Sequence, residues 1–252
     1  MDSHSIGMNE YWTFFAFPLN LLIAALMMCG LIWLRKTYPY CAVMRFLHSH
    51  YATVSAIGIL ILSCLWIGFT GDRGFVESLI FVVVLLYVQI VLFLITLRGW
   101  RRGDGVIRWR FLLLHLGLLL AVGSGFWGAP DSNEYRLRIF VDEASREAVT
   151  LESERVVLPF EISLMDVDTE YSVDGKPSHY EALISVNGQE PVTLMVNHPY
   201  GVKFGQDIYL ASVSEDSCVL QIVREPWRYF ALAGIIMMLA GAFLLFINGP
   251  RK

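Results

Sequence analysis

Five long apolar stretches constrain this chain of 252 residues more than any other feature of its sequence. Each is close to the roughly 20 helical residues needed to cross the hydrocarbon core of a bilayer. Together they contain one formal charge, Glu77, near an end. Because backbone groups in lipid must bond within their own segment, the stretches are predicted to be transmembrane helices. They span residues 14–34, 53–70, 75–97, 111–129 and 229–247.

Composition and charge agree with a membrane protein and exclude two other classes. Only 17% of the residues are charged, against about 25% in an ordinary soluble domain. A single water-soluble globule is therefore excluded. The 19 Lys and Arg residues are balanced by 23 Asp and Glu residues. This balance gives no overall basic field for phosphate backbones, so no nucleic-acid partner is expected.

Basic residues in the short loops predict the orientation, since such loops are enriched in Lys and Arg on the cytoplasmic side. The link after the first stretch carries Arg35, Lys36 and Arg45 without an acid. The link after the third stretch carries five arginines against one aspartate. Both links and the C-terminus are therefore expected in the cytoplasm, with the N-terminus and residues 130–228 outside.

Residues 130–228 are predicted to form one acidic all-β domain of the sandwich or barrel type. Five short runs are rich in β-branched and aromatic residues and are separated by turn signals; they cover residues 156–164, 180–186, 192–196, 208–213 and 218–223. Asn187-Gly188 predicts a hairpin, because both positions of that turn need a positive φ. The predicted organisation is a four-helix region (1–129), this domain (130–228), and a fifth helix with a short tail (229–252).

His115 is the main candidate site residue, because polar side chains inside a membrane are costly and often functional. It lies about 6 Å along the helix from Phe111, in the cytoplasmic half of the bilayer. From the residues alone, a neutral imidazole there either hydrogen-bonds a neighbouring helix or ligates a metal or heme iron. Gly117, Ala121 and Gly125 follow at four-residue spacing and predict a close helix contact.

The other histidine motifs give less support for a site. His48 and His50 supply at most two ligands where metal sites need three or four, so they are interpreted as solvated residues at the membrane interface. His198 precedes Pro199 in a turn-like sequence, Val-Asn-His-Pro. It is kept as a further candidate ligand, although no catalytic partner is evident. No motif of a hydrolase is found in the chain.

Five segments, in order and spacing, make the chain resemble the ResB (CcsB) proteins of the System II pathway of cytochrome c biogenesis. They are Leu-Pro-Phe-Glu-Ile-Ser-Leu at 158–164, Asp-Gly-Lys-Pro-Ser-His-Tyr-Glu at 174–181, Val-Asn-His-Pro-Tyr at 196–200, Ile-Tyr-Leu-Ala-Ser at 208–212, and Val-Leu-Gln-Ile-Val-Arg-Glu-Pro at 219–226. The last segment runs directly into the fifth apolar stretch. The chain departs from the family by having four helices before the domain instead of three.

The resemblance implies a multi-pass protein of the bacterial inner (cytoplasmic) membrane that works with a CcsA-type heme-handling protein. The pair would bind b-type heme in the membrane and deliver it for covalent attachment to apocytochrome c. In the family, a histidine in the helix before the outer domain is an axial heme ligand, and His115 is the matching residue. This chain would then be an accessory subunit of a heme lyase. The alternative is a membrane-anchored scaffold whose β-domain recruits a protein without touching heme.

Overall fold

The computed structural model describes residues 16–71, 73–151, 153–171 and 177–248. The chain forms two compact units. One combines Met1–Pro130 with Trp227–Lys252, and the other is Asp131–Pro226. The first unit is helical and the second is a β-domain, which agrees with the predicted fold class.

Seven α-helices form the first unit within the described residues. They are α1 (Leu19–Thr37), α2 (Ala42–Leu47), α3 (His50–Thr70), α4 (Arg73–Glu77), α5 (Leu79–Gly99), α6 (Trp109–Gly128) and α7 (Arg228–Asn248). Five of them, α1, α3, α5, α6 and α7, are long and apolar enough to cross a membrane. The prediction of five transmembrane helices is therefore confirmed.

Two helices begin later than predicted, and each late start has a local cause. The side chain of Ser78 accepts a hydrogen bond from the backbone N–H of Phe81 and caps α5, so this helix begins at Leu79. Glu77 consequently belongs to the separate short helix α4. Helix α1 begins at Leu19, directly after Pro18; residues 14 and 15 of the predicted stretch lie outside the described residues.

Helices α6 and α7 pack closely through glycines. A Cβ atom built on Gly117 would lie 2.6 Å from the carbonyl oxygen of Gly234, and a Cβ on Gly234 would lie 2.8 Å from the backbone nitrogen of Ala121. Gly117 and Ala121 therefore form the predicted contact. The prediction was wrong for Gly125, whose Cβ position has no atom within 4 Å. Because each residue advances about 100° around a helix, Gly125 lies about 80° away from Gly117.

The second unit is one antiparallel sheet of eight strands among the described residues. The strands are β1 (Asn133–Phe140), β2 (Ala144–Thr150), β3 (Arg155–Tyr171), β4 (Pro177–Val186), β5 (Val192–Met195), β6 (Tyr200–Lys203), β7 (Gln206–Val213) and β8 (Ser217–Arg224). Their order in the sheet is β5-β4-β3-β2-β1-β8-β7-β6. The sheet curls, since β4 and β5 also contact β7. It encloses an apolar core that includes Leu137, Ile139, Ile162, Ile184, Ile208 and Ile222.

Four of the five predicted strand runs lie within observed strands, and the fifth, 192–196, extends one residue beyond β5, which ends at Met195. The predicted hairpin is present. Asn187 and Gly188 have φ values of 52° and 69°, and the N–H of Gln189 donates to the carbonyl of Val186 at 3.1 Å. Strands β1, β2 and β6 were not predicted. Strand β1 pairs with β8 along its whole length, from Asn133 opposite Arg224 to Phe140 opposite Ser217.

Candidate functional site

A tight loop between α5 and α6 sets the start of the helix that carries His115. The N–H of Arg108 donates to the carbonyl of Trp100 at 2.7 Å, and Arg101 forms a β-bridge with Ile107. Gly105 takes a positive φ of 83° at the tip of the loop. The chain reverses here within a few residues, so α5 and α6 run antiparallel. His115 then lies six residues into α6, about 9 Å along its axis.

The imidazole of His115 is held by Phe111, one helical turn earlier. The two ring centroids are 3.8 Å apart, with 22° between the ring planes. Nδ1 of His115 lies 2.9 Å from the carbonyl oxygen of Phe111. The histidine is half-buried. Both the direction of the ring and its tilt are therefore determined by a single neighbouring residue.

The hydrogen bond to Phe111 also determines which imidazole nitrogen is available for a ligand. A carbonyl oxygen can only accept a hydrogen bond, so Nδ1 of His115 carries the proton. In a neutral imidazole, Nε2 then keeps its lone pair. Histidines that ligate metals commonly have this arrangement, with the other ring nitrogen donating to a carbonyl or a carboxylate. The local geometry of His115 is thus that of a potential axial ligand.

Phe111 is in turn placed by Gly99, the last residue of α5. A Cβ atom on Gly99 would lie 2.5 Å from Cε1 and 3.0 Å from Cε2 of Phe111, well inside the usual carbon-carbon contact distance. The absence of a side chain at this position lets the ring lie against the end of α5. The guanidinium carbon of Arg108 lies 5.0 Å from the same ring.

His115 lies on a different face of α6 from the contact with α7. At about 100° per residue, it is about 160° around the helix from Gly117, which packs against Gly234. The side of α6 that carries His115 and Phe111 is therefore the side directed towards the end of α5. Helix α7 fixes the rotation of α6 from the opposite side.

His198 lies in the turn between β5 and β6. Its N–H donates to the carbonyl of Met195 at 3.1 Å, and Asn197 has a positive φ of 61°, which asparagine tolerates better than most residues. The His198 side chain is exposed, and no hydrogen bond or ion pair of its imidazole is observed among the described residues. Its conformation is that of an ordinary turn residue.

His48 lies at the end of α2, and His50 is the first residue of α3. Nδ1 of His48 lies 2.8 Å from the carbonyl oxygen of Met44, and the guanidinium of Arg98 donates to the carbonyl of His48. Ser49 caps α3 by accepting from the N–H of Ala52. Among the residues that the structure describes, no three His, Cys, Asp or Glu side chains are grouped so as to hold a metal ion.

A buried polar cluster in the helical unit was missed by the sequence analysis. The side-chain amide of Asn20 donates to the carbonyl of Trp127 at 2.6 Å, and the indole N–H of Trp127 donates to Oε1 of Gln89 at 2.9 Å. Asn20 and Gln89 are each only 1% exposed. These bonds link α1, α5 and α6. The sequence did contain a signal for this cluster, because Asn20 and Gln89 are uncharged polar residues that each lie within an apolar stretch.

The fold and the position of His115 define a class: a multi-pass membrane protein with an antiparallel β-domain inserted before its last helix. The ResB-like family model matches residues 104–219, which include helix α6 with His115 and most of the β-domain. This match covers a little under half of the chain.

A comparison with solved structures found a likeness to a longer protein. The solved structure of Cytochrome c Heme Lyase CcmF resembles this chain with a TM-score of 0.41 and 12% sequence identity. The matched region covers 78% of this chain and 34% of the CcmF chain, so the match spans about a third of the length of the CcmF chain. A comparison with curated proteins found no match.

Proposed function

We propose that this chain is a heme-handling factor of cytochrome c biogenesis, in which His115 is an axial ligand of heme bound in the membrane. The observation that carries the proposal is the geometry of His115 on a ResB-like helix. Its Nδ1 is tied to a carbonyl 2.9 Å away, which leaves Nε2 for iron. The family match, which includes this residue, supports the same function.

The donor set of the described residues suits heme better than a bare metal ion. A structural metal ion needs several protein ligands, and the described residues contain no such cluster. Heme iron is already held by four porphyrin nitrogens and needs only one or two axial ligands. A single ordered imidazole is therefore a sufficient contribution from this chain.

Each residue around His115 has a separate part in binding. Nε2 of His115 would hold the iron, and the carbonyl of Phe111 would keep the proton on Nδ1. The Phe111 ring, at 3.8 Å between centroids, limits rotation of the imidazole. Arg108 lies one turn closer to the loop and offers a cation to the carboxylates of heme, since guanidinium-carboxylate bonds are strong and directional. The heme bound here would be the porphyrin that is to be attached to an apocytochrome.

The proposal includes a location and two partners. The chain lies in the inner (cytoplasmic) membrane of a bacterial cell, with the β-domain outside and the C-terminus in the cytoplasm. The basic loop at one end of α6 supports this orientation, because such loops favour the cytoplasmic side. A CcsA-type membrane protein provides the attachment step, and apocytochrome c receives the heme. This chain is an accessory subunit of that heme lyase.

The test is the heme spectrum of the full chain co-purified with its CcsA-type partner. His115→Gly is expected to lower the reduced-minus-oxidised heme absorbance and cytochrome c maturation, and added imidazole should restore the absorbance by replacing the missing ligand. His48→Gly is the matched control, since this imidazole has a similar bond to a carbonyl one turn earlier. His198→Ala tests the other candidate ligand and is expected to retain heme.

Two results would contradict the proposal. Unchanged heme content in His115→Gly, measured without added imidazole, rules out the axial role of this residue. A wild-type complex that supports maturation but contains no heme favours the scaffold alternative, in which the β-domain only recruits a protein partner.

A further inference from the structure

Strand β3 continues past the end of its neighbour β2. The pairing of β2 with β3 extends as far as Ser163. At the next residue, the N–H of Leu164 donates to the carbonyl of Glu143 at 3.1 Å, and its carbonyl accepts from the N–H of Asp142 at 2.9 Å. Among the described residues, no backbone group outside β4 bonds to the residues that follow the bulge. This stretch of β3, residues 166–169, is therefore paired on one side only and is called the β3 edge.

The backbone groups of Val167 and Thr169 point to the open side of the β3 edge. In an antiparallel pair, residues whose N–H and C=O bond to the partner alternate with residues whose groups point away from it. Leu164 directs both groups away from β4, and the bulge between Leu164 and Asp166 inserts one extra residue, so the alternation resumes at Val167. In agreement, the N–H of Val167 donates to the carboxylate of Asp166 at 2.8 Å. Thr169 therefore offers an N–H and a C=O, and Val167 offers a C=O.

Carboxylates give the β3 edge a negative outer face. Asp166 and Asp168 are exposed, and neither has an ion pair among the described residues. Glu181 lies opposite Asp168 on β4, so it belongs to the same face of the sheet. Val167 faces the other way and packs against the core of the domain. A strand added to the β3 edge would thus have acidic neighbours on one face and the apolar core on the other.

The charge of the β3 edge selects among the chains that could pair with it. An open strand edge accepts an extended segment of another chain, and alternate side chains of that segment give the specificity. Lys or Arg at every second position would lie beside Asp166 and Asp168, since neighbouring strands bring side chains of the same face together. Pairing of this edge with the same edge of a second copy would instead place like charges side by side, which is destabilising. A cationic polypeptide fits best.

We propose that the β3 edge binds an extended polypeptide segment with Lys or Arg at alternate positions, as an additional strand of the sheet. The backbone of the segment bonds to Thr169 and to the carbonyl of Val167, and its cations pair with Asp166 and Asp168. This binding does not depend on heme at His115. If the proposed function holds, apocytochrome c is the polypeptide that supplies the segment.

The experiment measures the binding of fluorescent peptides to the full chain in detergent, without heme, by fluorescence anisotropy. In the first peptide, lysine alternates with valine and threonine over about nine residues, a length of about 30 Å in a strand. The second peptide is N-methylated at the valine and threonine positions. Their amides would face Val167 and Thr169, because residues directly opposite in a sheet share a face. The third peptide is N-methylated at the lysine positions, whose amides would point away from β3.

The second peptide is expected to bind at least about tenfold more weakly than the first, because it loses the donors to two carbonyl groups. The third peptide has the same charge and should bind like the first. In the chain, Thr169→Pro removes the N–H on the open side, where an edge strand tolerates proline, and should weaken binding at least about threefold; Thr169→Val keeps the N–H and is its control. Asp168→Asn should weaken binding up to about fivefold, whereas Glu215→Gln, at an exposed acid in the β7–β8 turn, should not.

Equal affinity of the two N-methylated peptides for the wild type overturns the proposal, because binding then depends on charge alone. This comparison leaves the chain unaltered, so it does not depend on the folding of a variant. A lack of binding of the first peptide, or wild-type affinity in Thr169→Pro, also overturns the proposal. The heme absorbance should be unchanged in Thr169→Pro and Asp168→Asn. A complex with normal heme but no peptide binding contradicts this proposal alone, whereas unchanged heme in His115→Gly contradicts only the proposed function.

Discussion

Replacing Gly99 by alanine tests whether the packing of Phe111 orients His115. The new Cβ would lie 2.5 Å from Cε1 of Phe111, whereas carbon atoms in contact are about 3.5 Å apart or more. The ring therefore has to move by about 1 Å. This movement is easy for the end of a side chain, but it disturbs a stack whose centroids are only 3.8 Å apart.

The expected size of the effect follows from the value of the stack. An aromatic pair contributes about 0.5–1.5 kcal/mol beyond its buried area, which corresponds to about a twofold to tenfold loss of heme affinity if the stack orients the ligand. Alanine also has a higher helix propensity than glycine, by about 1 kcal/mol. Gly99→Ala should therefore weaken heme binding without lowering the thermal stability of the chain.

The assay is a heme titration of the purified complex, followed by the absorbance of the bound heme. Gly125→Ala is the matched control, because it lies on the same helix as His115 and has no atom within 4 Å of its Cβ position. Phe111→Leu removes the stacked ring but keeps the carbonyl that holds Nδ1. If Gly99→Ala and Phe111→Leu both bind heme with wild-type affinity, the stack does not orient His115 and the reasoning fails.

Three further substitutions each test one feature inside the helical unit or inside the β-domain. Gly234→Ala places a Cβ 2.6 Å from the carbonyl oxygen of Gly117 in α6 and should cost about 1–3 kcal/mol by overpacking. The melting temperature should be lower than that of Gly125→Ala, and equal melting temperatures would contradict the contact. Gly205→Ala combines a positive φ with a backbone clash against Pro226 and should cost at least about 1–3 kcal/mol; unchanged protease resistance of the domain would argue against this. Burial raises the pKa of Cys218 from 9.0 to about 12, so the folded state holds the thiol proton more tightly than the unfolded state. Stability should fall as the pH rises above about 9, and a parallel fall in Cys218→Ala would exclude this cause.

The membrane helices and the central strands could be predicted because each has a strong local pattern. The helices need a long apolar run, and the Asn187-Gly188 hairpin needs two residues that tolerate a positive φ. Strand β1 also had a readable signal, since buried Leu137 and Ile139 alternate with exposed Arg136 and Arg138.

Strand β2 had no comparable signal. Its sequence is Ala-Ser-Arg-Glu-Ala-Val-Thr, and among these residues only Ala148 is buried. Pairing with β1 and β3 holds this segment in the sheet, and such pairing is a property of the whole fold. Strand β6 has only four residues, which is too short for a period of two to stand out.

The position of the candidate site could be predicted, but its geometry could not. A histidine in an apolar stretch identified His115, and the four-residue spacing to Phe111 is visible in the sequence. The stack of Phe111 on His115 also requires the Phe111 ring to lie against Gly99. The direction in which α6 presents His115 depends on the contact of α6 with α7. The helical period explains the error at Gly125. Eleven residues make slightly more than three full turns, so Gly128 lies within about 20° of Gly117. A Cβ on Gly128 would come within 2.7 Å of Trp227.

Glycines on two sides of α6 therefore determine how His115 is presented. Gly117 and Gly234 bring the α7 backbone against one face of the helix, and this contact limits both rotation and sliding of α6. Gly99 accepts the ring of Phe111 on the other side, and Phe111 holds the imidazole through its ring and its carbonyl. The α6–α7 contact sets the position of α6, and α6 carries His115. A substitution at Gly234 that shifts α6 should therefore affect heme binding as well as stability. Weaker heme binding in folded Gly234→Ala, with normal binding in Gly125→Ala, would show that the α6–α7 contact is part of the support for the site; equal binding in the two variants would show that Phe111 alone is sufficient.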